Sequence, residues 1–421
     1  MIESFEYERR RQQVLSEIDD NSLVILFAGV APHCSADESY NFEVNRNFYY
    51  LTGIDQENSA LMLVKAEGET HVYLFIDEKN EKVEKWTGIK LTSEEAKKIS
   101  GISNVLLRSA LDGKISASLN KDMTHFGLIK NIYLDLEKEL KIAGCKSTFE
   151  FKKEMEIAYP DLEIKDIHDI VMHLRMIKSP AEIEMIKDAI HTTDIALRNV
   201  LLTISKAGFE FNLRNVFEFN VKEDLNASLA FPSIVAGGKN AVILHYPSAN
   251  DALNHDDLVL LDVGARKSYY CADISRTYPM SGKYNELQKK IYEIVLACNK
   301  ETAKFMHRGI SLKDVNQFAK DFLAEECFEK GLIESKDKIS DVYYHSVSHH
   351  LGLDTHDGTD RESLLEPGMV ITCEPGLYFK EFGIGVRIED DVLITEEGSE
   401  VLSESIIKEV SDIEKFLSIK Q

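Results

Sequence analysis

The 421-residue chain contains no apolar run near the ~18 residues a membrane helix requires, so no membrane-spanning role is expected. Its first residues, MIESFEYERRRQQ, put charges where the apolar stretch of a signal peptide would fall, which predicts a cytoplasmic protein. Cys34, Cys145, Cys271, Cys298, Cys327 and Cys373 show no CxxC spacing. They read as reduced thiols, neither a disulfide framework nor a zinc ribbon. Positive charge is in deficit: 49 Lys and Arg face 72 Asp and Glu, a formal net charge of −23. A field of that sign repels phosphate backbones and anionic lipid, so neither nucleic acid nor a membrane surface is an expected partner. Tryptophan occurs once, as Trp86. Internal repeats and low-complexity tracts are absent.

What is present is ordinary globular material, 44% apolar and 29% charged, long enough for two to three domains. Residues 5–18 repeat apolar positions at helical spacing. Segments 22–29, 59–66, 70–77, 104–108 and 130–136 read as strands, and 93–100 as a polar helix. This alternation predicts an α/β domain with a mixed sheet over residues 1–170. Residues 164–177 read as a helix; then Ser179-Pro180-Ala181-Glu182 supplies an N-cap, proline in the first turn and Glu at N3, starting a helix over 181–204. Further helices are expected at 285–307 and 312–330, with strands at 232–236, 241–245, 257–265, 269–277, 368–374 and 384–395. Residues 171–421 therefore predict a second, α+β domain.

Acids sit where strands should be apolar. Asp262 lies within DDLVLLDVGA and Asp273 within SYYCADISRT. A hairpin with Lys267-Ser268 at its tip would set them opposite each other, Cβ atoms ~5 Å apart. Two facing buried carboxylates are costly unless a cation lies between them. Glu374 ends GMVITCE, and a return near 380–383 would place Glu389 opposite it, with the same cost. The stretch HSVSHHLGLDTH holds His345, His349, His350 and His356; His345 and His349 share a face if it is helical. His349 is the first choice of ligand, and His245 stands apart in VILHYP. Four carboxylates and one imidazole offset two divalent cations. Oxygen-rich ligation suits Mn²⁺ best, with Co²⁺, Fe²⁺ or Zn²⁺ as alternatives.

LDVGARKSYYCADISRTYP, HSVSHHLGLDTHD, ITCEPGLY and GVRIEDDVLIT, in that order, resemble the metal-binding segments of the pita-bread metallopeptidases, the group of Xaa-Pro aminopeptidase, prolidase and methionine aminopeptidase. The first half is similar to the creatinase-type domain that precedes the catalytic domain in the first two, through NRNFYYLTGI at 45–54. The resemblance implies an N-terminal creatinase-type α/β domain and a pita-bread catalytic domain. It implies two metals held by Asp262, Asp273, His349, Glu374 and Glu389, with Asp273 and Glu389 bridging and Glu374 doubling as base for a bridging hydroxide. It places His245 and His356 on the substrate carbonyl, His345 near the scissile bond, and Tyr378 and Arg387 behind the ligands. It also implies a peptide substrate with proline second, and a homo-oligomer. Trp86-Thr87-Gly88 resembles a segment that reaches a neighbouring subunit's active site in some members; a packed hydrophobe is the plainer reading. Two departures stand out: His350, where the group often carries an aromatic or small residue, and a short segment from Glu374 to Glu389.

Each residue alone has an ordinary explanation. Asp262 could turn a strand, Asp273 could pair with Arg276, Glu374 could edge a loop, and Glu389-Asp390-Asp391 could be a solvated acidic run. Their joint order is what points to a hydrolase that removes an N-terminal residue preceding proline. Prolidase, which cuts only the dipeptide, is the nearest alternative; a metal-free binding protein of the same fold is the other.

Overall fold

A computed structural model describes residues 2–120, 126–136, 146–358 and 363–418. The chain forms two compact units, Met1–Arg175 and Met176–Gln421. In the first, a six-stranded mixed sheet runs in the order Asn104–Leu107, Glu69–Ile76, Ala60–Ala66, Ser22–Phe27, Asn131–Leu134, Glu163–Asp166. Ser22–Phe27 is antiparallel to Ala60–Ala66 and parallel to Asn131–Leu134, the mixed pattern expected. Its wholly buried run SLVILF explains why that strand is central. Leu23, Ile25, Met62, Val64, Phe75 and Ile132 form the core beside it. One expectation needs correction: 164–177 is not a single helix, because Glu163–Asp166 is the edge strand and the helix is His168–Met176. Asp166 makes the break, its Oδ1 accepting from the His168 backbone N–H at 3.0 Å.

The NRNFYYLTGI segment is a structural knot. Asn45 caps the helix Arg46–Thr52, and Gly53 ends it with φ +68°. Asn45 and Asn47 donate to Asp135 Oδ2 at 3.2 and 3.0 Å, while Arg175 Nη1 donates to Asn47 Oδ1 at 2.8 Å. Arg10, fully buried, stacks on the Tyr50 ring at 4.1 Å and donates to the Tyr50 carbonyl. Trp86, by contrast, is 89% exposed on the helix Glu81–Thr87, so the packed-hydrophobe reading is wrong within this chain.

In the second unit the helices Pro180–Thr203, Glu286–Phe305 and Leu312–Glu329 form where expected. Ser179 makes the anticipated capping box with Glu182. The helix Glu210–Glu223 has no counterpart in the sequence reading. Residues 241–245 are not a strand: Gly238–Val242 is a 3₁₀ turn, and His245 follows in a turn rather than at a strand end. Gly238, at φ +51°, starts that turn. The strands are shorter than expected and lie in small antiparallel sheets, with Leu258–Val263 between Ile234–Gly237 and Ile274–Pro279. Cys34, Cys271, Cys298, Cys327 and Cys373 are free thiols; Cys145 lies outside the described residues.

Candidate metal and catalytic site

The first hairpin keeps its face but shifts its register. Asp262 pairs with Ser275, not Asp273, and Arg266 pairs with Cys271. The tip is Ser268-Tyr269, with φ of 48° and 70°, a turn with both central residues left-handed. The shift moves the partner by two residues, so Asp262 and Asp273 still project from one face, diagonally. At Gly264 the hairpin passes between two sheets. A Cβ there would meet the Ala272 carbonyl oxygen at 1.9 Å, so glycine is required for the strands to close.

The second pair falls in the expected register. Gly376–Phe379 pairs with Ile384–Arg387, and Val370–Cys373 with Asp390–Ile394, in one continuous frame that sets Glu374 across from Glu389. The short Glu374–Glu389 segment is this tight hairpin. The histidine segment is extended, not helical. Thr372 N–H donates to the His349 carbonyl at 2.9 Å, and Glu374 N–H to the Val347 carbonyl at 2.9 Å, so it runs beside Val370–Cys373. His345 and His349 reach one cavity regardless, since a spacing of four is also even.

That cavity, about 930 Å³, is lined by Asp262, Asp273, His245, His345, His349, His356, Glu374, Arg387 and Glu389. Asp273, His349 and Glu389 each offer one ligand atom within 4.8 Å of the others. His349 Nε2 lies 3.4 Å from Asp273 Oδ2 and 3.7 Å from Glu374 Oε1. His349 Nδ1 is 3.0 Å from the His350 carbonyl. A proton on Nδ1 donates there and leaves the Nε2 lone pair facing the acids. Asp262 and Glu374 share the cavity but stand outside the tightest group. Asp262 Oδ2 is held by Arg387 Nη2 at 2.6 Å, and its buried Oδ1 accepts no hydrogen bond.

Asp273, Glu374 and Glu389 are moved out of their ordinary titration ranges. Burial pushes Asp273 well above the usual carboxylate range, with Asp262, Asp391 and Glu374 adding to it, and does the same to Glu389, with Asp273, Glu374 and Asp262 adding; Arg387 opposes both. Burial lifts Glu374 to about 7, against the pull of His349 and Arg387. Burial, then Arg387, lowers His345 to about 4, so it is neutral near pH 7. His345 Nδ1 faces the Ser346 carbonyl at 2.8 Å, closer than Glu374 Oε2 at 3.6 Å. Nε2 then accepts from the Tyr378 hydroxyl at 2.8 Å, and Arg387 Nη1 donates to that hydroxyl at 3.1 Å. His356 stands edge-on to His349, ring centroids 4.4 Å apart.

Clustered acids whose carboxylates cannot all ionise, an unpartnered Asp262 oxygen and a presented imidazole nitrogen fit a divalent cation site. Several supports had no place in the sequence reading. Ser275 Oγ donates to Glu389 Oε2 at 2.7 Å and accepts from Arg387 Nε at 2.8 Å. It shares a strand face with Asp273, so strand parity could have found it. Asp391 accepts from the Asp273 N–H at 3.2 Å. Lys178 and Asp357, both side chains 1% exposed, pair at 3.2 Å beneath the histidine loop. Gly352 packs on them so tightly that a Cβ would lie 2.1 Å from Asp357 Oδ2. Two of the ordinary readings fail: Arg276 pairs with Asp390 and not Asp273, and Glu389, Asp390 and Asp391 are all buried. His350, the departure from the family pattern, is 1% exposed and packs inside rather than at the cavity mouth.

The profile of metallopeptidase family M24 matches residues 184–396, and that of the aminopeptidase P N-terminal domain matches 7–126. The chain belongs to metallopeptidase family M24, with the aminopeptidase P type of N-terminal domain and a pita-bread catalytic domain. Among its relatives, a Haemophilus influenzae protein named Xaa-Pro aminopeptidase is 31% identical, with 98% of this chain and 97% of that protein covered. A Bacillus anthracis chain solved as a candidate aminopeptidase P is 42% identical, TM-score 0.94, with 100% and 99% covered. Zinc-substituted Escherichia coli aminopeptidase P in complex with product is 28% identical, TM-score 0.90, with 100% and 99% covered.

Proposed function

We propose that this metallopeptidase releases an N-terminal residue that precedes proline. The observation that carries the reading is the convergence of Asp262, Asp273, His349, Glu374 and Glu389 on one cavity that His245, His345 and His356 also line. The names of the relatives above support the substrate class. Asp262, Asp273, His349, Glu374 and Glu389 would hold two divalent cations, Mn²⁺ being the best match to an oxygen-rich donor set. Such a pair would supply an activated water and polarise the scissile carbonyl.

The remaining work falls to the chain's own side chains. An Xaa-Pro bond has no amide hydrogen, so recognition by backbone pairing is not open to it. Glu374, whose Oε1 lies 3.7 Å from His349 Nε2 in the cavity, is placed to take a proton from the attacking water and return it to the proline nitrogen. His245 and His356 face the substrate carbonyl. Neutral His345 and the Tyr378 hydroxyl form a hydrogen-bonded pair that orients groups at the scissile bond. Arg387 holds Asp262 and Tyr378 together and offsets part of the acid cluster's charge. No helix among the described residues is long and apolar enough to cross a membrane.

The test is metal analysis coupled to a peptide panel. The protein should bind transition metal and cleave Xaa-Pro-Yaa peptides. Cleavage confined to Xaa-Pro dipeptides would replace this reading with the prolidase one. Failure to retain metal after purification in Mn²⁺ would replace it with that of a binding protein.

A further inference from the structure

A separate buried carboxylate stands behind the cavity wall. Glu210, the first residue of the helix Glu210–Glu223, is 0% exposed. Its Oε1 accepts from the Gly237 N–H at 2.7 Å and from Asn240 Nδ2 at 2.9 Å. Its Oε2 accepts from the Tyr246 hydroxyl at 3.0 Å and from the Asp251 N–H at 2.9 Å. Asn240 Nδ2 also donates to Asp251 Oδ2 at 3.0 Å, and the Glu210 N–H donates to the Asp251 carbonyl at 3.0 Å. All four partners of the carboxylate are donors, and all four belong to residues 237–251. Within that segment Leu244, His245, Tyr246 and Pro247 line the cavity in succession, with no helix or strand to fix them.

We infer that Glu210 is a positioning residue: it gathers the 237–251 segment by four hydrogen bonds and thereby sets where the His245 imidazole stands in the cavity. The inference rests on the reading of His245 as a group that meets substrate. Only a carboxylate serves here. A glutamine amide would turn N–H groups towards donors, leaving at least one buried pair opposed. Hydrogen bonds to an ionised acceptor are the stronger kind, so the clamp depends on the charge as well as the shape. None of the acids proposed to hold metal lies within residues 237–251, and the Glu210 carboxylate bonds to none of them, so disturbing the clamp should spare them.

The experiment is a double-mutant cycle on the Mn²⁺-loaded protein, reading kcat, KM and metal content with an Xaa-Pro-Yaa peptide. Glu210→Gln should lower kcat/KM roughly 10–100-fold, as loss of an orienting partner does elsewhere, with metal content unchanged. Tyr246→Phe removes one donor, adds no new group, and should cost roughly 3–10-fold. Neither change should matter further in a His245→Ala background, because coupled residues are non-additive. Equal losses in both backgrounds, or metal lost from Glu210→Gln, would overturn the inference. Should Glu210→Gln not fold, Tyr246→Phe runs the same cycle. Full activity in His245→Ala would remove the role of His245 itself. An impaired His245→Ala beside fully active clamp variants would remove the clamp alone.

Discussion

Two neighbouring acids have opposite fates. Asp390 is wholly buried, yet Arg276 Nη2 at 2.8 Å and Lys408 Nζ at 2.8 Å hold its carboxyl well below the usual range, and Ser403 donates to it as well. Glu389, one residue earlier, is 2% exposed and is pushed the other way, because burial acts on it together with Asp273, Glu374 and Asp262. Alternation along the strand sends the two side chains to opposite faces. One face supplies fixed cations, and the acid there is structural. The other supplies more acids, and the face can ionise fully only with added positive charge. Arg387 alone offsets too little there. Burial of an acid is therefore uninformative by itself; the sign of its neighbours separates a structural carboxylate from a candidate ligand.

The sharpest way to break this comparison is to remove an acid from each face. Asp273→Ala or Glu389→Ala should abolish metal content and reduce Xaa-Pro-Yaa cleavage by roughly 1,000-fold or more, while unfolding curves stay cooperative. Full activity in either variant would refute the assignment of that face. On the other face, Arg276→Met strands part of Asp390's charge and should cost about 3–5 kcal/mol of stability in urea unfolding. An unchanged midpoint would mean that Lys408 and Ser403 suffice.

The two faces should also respond oppositely to pH. Glu374 moves from an ordinary 4.5 to about 7 on folding, so between those values the folded state holds a proton the unfolded chain has released. Asp273 and Glu389 shift in the same direction. In metal-stripped protein the stability contributed by these acids should therefore fall as pH rises through that window, against the opposite slope of His345, whose value is lowered; the difference in Tm between wild type and Glu374→Gln isolates the acid's share. A wild-type-minus-variant difference that climbs with pH in chelator would contradict this. The smallest effect is expected at Ser275, which ties Glu389 to Arg387: Ser275→Ala should weaken metal affinity roughly 10-fold with the fold intact, measured by metal titration.

Much of this was legible from residue order. The 45–54 segment marked the first domain, although its side chains proved to be internal knots around Asp135 and not ligand contacts. The register across Glu374 and Glu389 was legible because a short turn leaves little freedom. The register across Asp262 and Asp273 was misplaced, because Ser268 and Tyr269 adopt left-handed conformations that their residue types do not advertise. The helix expected over His345–His349 was wrong, yet the shared face survived, since four residues return to one side in either geometry. Glu210, Lys178 and Asp357 went unseen because a carboxylate or ammonium carries no local mark of burial.

By itself, the sequence determined which side chains offer oxygen and nitrogen donors and, through strand parity, which of them would share faces, because side-chain chemistry and the two-residue period are local properties. Tertiary structure alone decided that Asp390 would meet Arg276 and Lys408 while Glu389 met Asp273, and that Glu210 would hold the His245 loop. Those outcomes depend on burial and on partners brought together from distant segments, and electrostatic cost has no value until the surroundings of a charge are fixed.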